Sequence, residues 1–240
     1  MSTATTEHGR PEQGGPRAEQ PWLPDDAEML ADRIRRLHRP GSRVLVGIVG
    51  APGSGKSTLS AAVLAHLTSG PAPLAVALVA MDGYHLAQHV LDAAGLAEIK
   101  GAPQTFDAAG FVAMLERITG DRVADEVIYA PEFRRALEEP IAGAVPVGPD
   151  VEVVITEGNY LLAAEPPWHR VGELLTEAWF LDVPEELRIQ RLVSRHIAFG
   201  RTPEVSLERS TTGTDGRNAD YVARTKQRAD LLIRPVIPAQ

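Results

Sequence analysis

The chain has 240 residues, enough for one large α/β domain with a full core, and a formal net charge of −8. That balance argues against a general nucleic-acid binder, whose affinity for a phosphate backbone rests on clustered Lys and Arg. The absence of cysteine excludes disulfides, thiolate metal sites and cysteine nucleophiles. The polar start Met1-Ser2-Thr3-Ala4-Thr5-Thr6-Glu7 lacks the layout of a secretion signal, and no apolar run reaches the roughly 18 residues that span a bilayer. A soluble, cytoplasmic chain with no membrane partner is expected.

Residues 1–22, rich in Gly, Pro, Glu, Gln and Thr, have the makeup of a disordered tail, and 23–240 read as one domain. Asp25 or Asp26 can cap a helix to about His38, with Met29, Leu30, Ile34 and Leu37 at helical spacing and Pro40-Gly41 as its stop. A strand follows over 43–49. It runs into Gly50-Ala51-Pro52-Gly53-Ser54-Gly55-Lys56-Ser57-Thr58, which fits the phosphate-loop pattern Gly-x-x-x-x-Gly-Lys-[Ser/Thr]. A strand ending in a glycine-rich turn that opens a helix aims consecutive N–H groups at one spot, where the helix dipole also favours negative charge. Lys56 can reach the β- and γ-phosphates of a nucleotide, and the Ser57 hydroxyl can ligate Mg²⁺. The chain has only three lysines against 21 arginines, and one of the three stands where a compact point charge suits a phosphate cradle.

The helix from Lys56 ends near Ser69, and a second strand, 74–81, leads into Asp82. Two helices flank an irregular segment at 99–106. Short strands are expected at 126–129, 151–156 and 179–183, a helix from Pro184 to about Phe199, loop over 200–220, a helix over 221–228 and a last strand at 231–233. Strands alternating with helices point to a parallel sheet covered on both faces, with the ligand crevice at the strands' carboxyl ends. Asp82 and Glu157 stand at such ends. Glu157 has the placement of a Mg²⁺ acid. Asp82 is a candidate general base, with the N-cap of a following helix as its structural alternative. Arg188, Arg191 and Arg195 share one helical face, as in a lid whose arginines close on a γ-phosphate; pairing with Glu185 and Glu186 is the alternative. His85 and His89, one turn apart, lack a third metal ligand, so His85 is read as an acceptor contact and no zinc site is expected.

In order and spacing these pieces resemble the superfamily of P-loop kinases that includes uridine kinase, phosphoribulokinase and bacterial-type pantothenate kinase, and within it a nucleoside kinase-like subgroup. The resemblance is carried by Met81-Asp82-Gly83-Tyr84-His85, Lys100-Gly101-Ala102-Pro103-Gln104-Thr105-Phe106-Asp107 and Ile155-Thr156-Glu157-Gly158-Asn159-Tyr160. It continues through Phe180-Leu181-Asp182-Val183, Arg191-Leu192-Val193-Ser194-Arg195 and Ala229-Asp230-Leu231-Leu232-Ile233. It implies an α/β P-loop NTPase fold with a helical arginine lid, ATP and Mg²⁺ as cofactors, and a small-molecule hydroxyl acceptor. It further implies Asp82 as base, Glu157 near the metal, Arg191 and Arg195 on the phosphates, and acceptor contacts from Tyr84, Lys100, Asp107, Tyr129 and Asn159. Asp107 also stands where the helix after it wants an N-cap. Segment 129–134 follows neither the nucleoside nor the pantothenate pattern closely, so nucleoside, pantothenate-like and sugar acceptors stay open, as does the oligomeric state, a homodimer included.

Two other classes are weighed. A GTPase would need a guanine-reading Asn-Lys-x-Asp, which is absent, and both Asp-x-x-Gly runs lie in helix-prone stretches. A non-catalytic nucleotide-binding protein would have kept the loop and lost transfer, against which the retained Asp82, Glu157 and lid arginines count.

Overall fold

The computed structural model describes residues 18–22, 27–120 and 126–235. Its centre is a six-stranded, all-parallel sheet in the order β1-β8-β7-β2-β6-β3. The strands are β1 (Ala18–Trp22), β2 (Val44–Gly50), β3 (Val76–Leu78), β6 (Val153–Gly158), β7 (Glu177–Leu181) and β8 (Leu231–Pro235). A separate antiparallel hairpin is made by β4 (Ile128–Arg134) and β5 (Glu139–Val147). The helices are α1 (Ala27–Leu37), α2 (Lys56–Thr68), α3 (Gln88–Ala94), α4 (Ala108–Thr119), α5 (His169–Leu174), α6 (Glu185–Ala198), α7 (Pro203–Thr211) and α8 (Thr214–Ala223).

Side chains alternate across a strand, and here both faces are apolar, as a sheet covered on two sides requires. From β2, Val44, Val46 and Ile48 join Val153, Ile155, Trp179, Leu181, Leu231 and Ile233 in a core closed by α1 and α2. Leu45, Val49, Val154, Phe180 and Leu232 face the other way, onto Phe111 and Leu115 of α4, Val171 of α5 and Val222 of α8. This is a P-loop NTPase fold. The phosphate loop joins β2, at the middle of the sheet, to α2.

Four stretches depart from the sequence reading. Residues 18–22 are not tail but an edge strand, in parallel register with β8 from Ala18 opposite Leu231; main-chain pairing at an edge asks little of composition. Residues 1–17 lie outside the described residues. The segment 200–220, expected as loop, holds α7 and most of α8. The signal was present: Thr202 accepts from the Val205 N–H as N-cap, and Pro203 fills the first turn. Strand β5 went unread because its two prolines, with Pro131 in β4, break the usual strand pattern, yet a two-stranded ladder has only edges, where proline is tolerated. Helix α5, six residues long, has too few turns to show a period.

Candidate active site

The phosphate loop is fixed by its glycines and by α6. Gly53 has φ +81°, a conformation L side chains rarely adopt, and a Cβ there would stand 2.7 Å from the Arg188 carbonyl oxygen. Helix α6 therefore packs directly on the loop. Arg191 Nη1 donates to the Ser54 carbonyl at 3.2 Å. Lys56, buried at the start of α2, donates through Nζ to the carbonyls of Gly50 (2.9 Å) and Ala51 (3.2 Å) and to Asn159 Oδ1 (2.8 Å). Those bonds use all three donors of the ammonium, so engaging a phosphate means exchanging one of them. Burial pulls the Lys56 pKa below its ordinary value, against the opposing pull of Glu157 and Asp82. Burial likewise pushes Glu157 up, with Lys56 and the Ser57 hydroxyl acting the other way. Ser57 Oγ donates to Glu157 Oε1 at 2.7 Å, a hydroxyl and a carboxylate drawn together from α2 and β6.

These groups share one cleft of about 870 Å³ with Asp82, His85, Lys100, Asn159, Arg191 and Arg195. Asp82 lies in a 3-10 turn (Met81–Tyr84) past the end of β3, half-buried, with Arg135 Nη2 at 3.6 Å from its Oδ2. Lys56, Glu157, His85 and Arg195 all feel its charge. His85 Nδ1 sits 2.9 Å from the Asp82 carbonyl oxygen, and its ring packs between Phe106 and Phe133, with centroids at 4.0 and 4.8 Å. Burial pulls the His85 pKa down, so the imidazole is neutral at physiological pH. Burial and the neighbouring Arg135 lower Arg195 in the same sense.

No protein-family model matches the chain. A uridine kinase-like protein of Schizosaccharomyces pombe is 32% identical over 211 residues, covering 85% of this chain and 88% of that one. A pantothenate kinase of Chelativorans sp. (strain BNC1) is 26% identical over 223 residues, with 82% and 69% covered. Among solved structures, a Silicibacter sp. TM1040 protein provisionally named a fructose transport system kinase matches with a TM-score of 0.77 at 36% identity, over 86% of this chain and 98% of that one. The chain belongs to the uridine and pantothenate kinase superfamily of P-loop kinases.

Against what that superfamily resemblance implied, three acceptor residues do not reach the cleft of this P-loop kinase. Tyr84 is buried in the core, its ring 5.0 Å from Phe111 and its hydroxyl raised in pKa by burial. Asp107 is the N-cap of α4, its Oδ1 accepting from the Gly110 N–H at 2.8 Å, which is the capping role its position also allowed. Tyr129 is 59% exposed on β4, since strand alternation turns it away from Ile128 and Ala130. Arg188 differs too: at 4% exposure it lies between α6 and α7, donating to the Ser210 carbonyl and sitting 3.7 Å from Glu185, so it pins the lid instead of facing phosphate.

Sequence reasoning missed the far wall. Arg135, Ala136 and Glu138 enter the cleft from the turn between β4 and β5, an element that was not foreseen. His196 Nε2 and Asp215 Oδ2 lie 2.7 Å apart, tying α6 to α8, and Arg209 of α7 approaches the same carboxylate at 3.5 Å. Burial opposes ionisation of Asp215, but the His196 bond and the Arg209 charge outweigh it and hold its pKa low.

The hairpin is seated through a close backbone contact: a Cβ at Gly83 would stand 2.4 Å from the Pro131 carbonyl oxygen. Gly83→Ala should therefore displace the hairpin at a cost of about 1–3 kcal/mol, the range for overpacking. Thermal unfolding and nucleotide affinity together check this. A lowered midpoint with unchanged ATP affinity is expected, because the phosphate loop lies on another element; an unchanged midpoint would show that the contact is soft.

Proposed function

We propose that this kinase transfers the γ-phosphate of MgATP to a hydroxyl of a small molecule. The observation that carries the reading is the convergence of Lys56, the Ser57–Glu157 pair and Asp82 in one cleft at the carboxyl ends of β2, β3 and β6. The backbone of 50–58 would cradle the phosphates, with Lys56 leaving Asn159 to bond an oxygen of the transferring group. Ser57 and Glu157 offer oxygen donors only, which fits Mg²⁺. When bound, the ion would neutralise charge on the phosphates.

Asp82 is placed to accept the proton of the acceptor hydroxyl. His85, neutral and wedged between two phenylalanines, holds the Asp82 main chain through its carbonyl and gives the acceptor a wall. Arg195 supplies positive charge where negative charge sits in transfer, and Arg191, fastened to the loop, keeps α6 over the phosphates and limits water. Asn159 serves first as the resting partner of Lys56, with an acceptor contact as a second use.

The test is coupled ADP release with and without acceptors, across nucleosides, polyols, hydroxy acids and sugars. ADP release that rises only with particular hydroxyl compounds, together with phosphate found on the compound by mass spectrometry, is the expected result. Tight ATP binding with no acceptor-dependent release would return the chain to a non-catalytic nucleotide-binding role.

A further inference from the structure

The cleft holds more positive charge than its nucleotide needs. Seven cationic side chains line it against four carboxylates, in a chain whose formal net charge is −8. MgATP, a dianion, leaves a positive remainder. Part of that surplus stands away from the phosphate loop, on the wall built by the hairpin and by the segment after α3.

Lys100 Nζ donates to Gln88 Oε1 at 3.1 Å and to the Glu138 carbonyl at 2.7 Å, and lies 5.7 Å from the centroid of the Phe133 ring. None of these partners is a carboxylate, so its charge is held in place without being neutralised. Arg135 comes from the hairpin turn, with its side chain 47% exposed, and its partner is the Asp82 carboxylate at 3.6 Å. At that distance and exposure the pair is weak. It also sets the guanidinium beside the carboxylate that the acceptor's hydroxyl would have to reach. An acceptor hydroxyl that is to meet Asp82 must share that carboxylate with the guanidinium or displace it.

Building on the kinase reading above, we propose that the acceptor carries an anionic group, a carboxylate above all, and that Arg135 exchanges Asp82 for it when the acceptor binds. Lys100, bonded to the same hairpin turn, would complete the anion site, and the Phe106–His85–Phe133 wall would receive the acceptor's carbon skeleton. The planar fork of Arg135 matches a carboxylate two-pronged, and a single negative charge balances the remainder left by MgATP. The exchange makes specificity part of activation. An anionic acceptor draws Arg135 off and frees the base, whereas a neutral isostere leaves the base paired.

The test uses the full-length protein loaded with Mg²⁺ and a non-hydrolysable ATP analogue. Isothermal titration compares glycerate, gluconate and pantothenate, each with its primary amide, and in a separate arm sugar phosphates with the free sugars. At least one anion should bind about 10- to 100-fold more tightly than its neutral partner, the range for a charge-assisted hydrogen bond. Arg135→Ala should erase that margin and Arg135→Lys should keep part of it; thermal unfolding confirms that both variants fold. A margin found among the phosphate esters and not the acids would assign the anion as a phosphate monoester at the same arginine. Should no anion bind more tightly than its neutral partner, or should the margin survive Arg135→Ala, the proposal fails. ADP release, measured separately, distinguishes the two readings. An anion bound through Arg135 but never phosphorylated overturns the kinase reading alone, while amides or free nucleosides phosphorylated as fast as acids overturn the anion site alone.

Discussion

Replacing Lys56 with alanine should lower turnover by roughly 10²–10³-fold or more, the scale on which one preorganised donor at a site of developing charge acts. The three bonds of its ammonium tie the loop carbonyls of Gly50 and Ala51 to Asn159, just past the end of β6. Without it, Glu157 keeps its burial but loses the largest of the influences that lower its pKa. The carboxylate should therefore become easier to protonate and a poorer metal ligand. Steady-state kinetics and Mg²⁺-dependent nucleotide titration measure both effects. The fold should survive, because the loop conformation rests on Gly53 and on the contact with α6. A folded Lys56→Ala protein with native turnover would remove the phosphate loop from the chemistry.

The second large effect is expected at Asp82. Asp82→Asn preserves shape and removes the proton acceptor, so turnover should fall by roughly 10²–10⁴-fold, the contribution of a positioned acid–base group. ATP affinity should change far less, since the residue stands off the loop in its own 3-10 turn. Single-turnover phosphate transfer and equilibrium nucleotide binding, measured on the same preparation, separate the two quantities. Near-native transfer by Asp82→Asn would leave this carboxylate only its partnership with Arg135, and the base would have to be found elsewhere in the cleft.

The parts of this site that could be read from sequence are those whose geometry is local. Residues 50–58 sit in a fixed strand–turn–helix context, and Glu157 ends an apolar strand that could only lie inside the sheet. The same locality made the Asp107 N-cap legible as an alternative, and the cap is what the side chain does. Arg135, Arg209 and Asp215 were not legible, because nothing near them in sequence marks them. Arg135 depends on a hairpin whose prolines hide its strands. The meeting of Asp215 with His196 and Arg209 depends on how α6, α7 and α8 pack. Tyr84 and Arg188 went astray for a related reason: residue type and spacing place a side chain on a face, but which face is covered is decided by what packs there. Phe111 took the first and α7 the second.

The hairpin hands the two halves of this enzyme different histories. Among the described residues its ladder pairs only with itself, and it leans on the rest of the molecule through the turn around Gly83, the His85 ring, the Lys100 ammonium and the core contacts of Ile128, Ala130 and Val147. Residues 133–138 can therefore change length and chemistry without disturbing the strands that carry the phosphate loop. On the acceptor reading proposed above, transplanting this segment between related kinases should change the acceptor while leaving the nucleotide site in place. Divergence within the superfamily should concentrate there, while the central strands drift slowly.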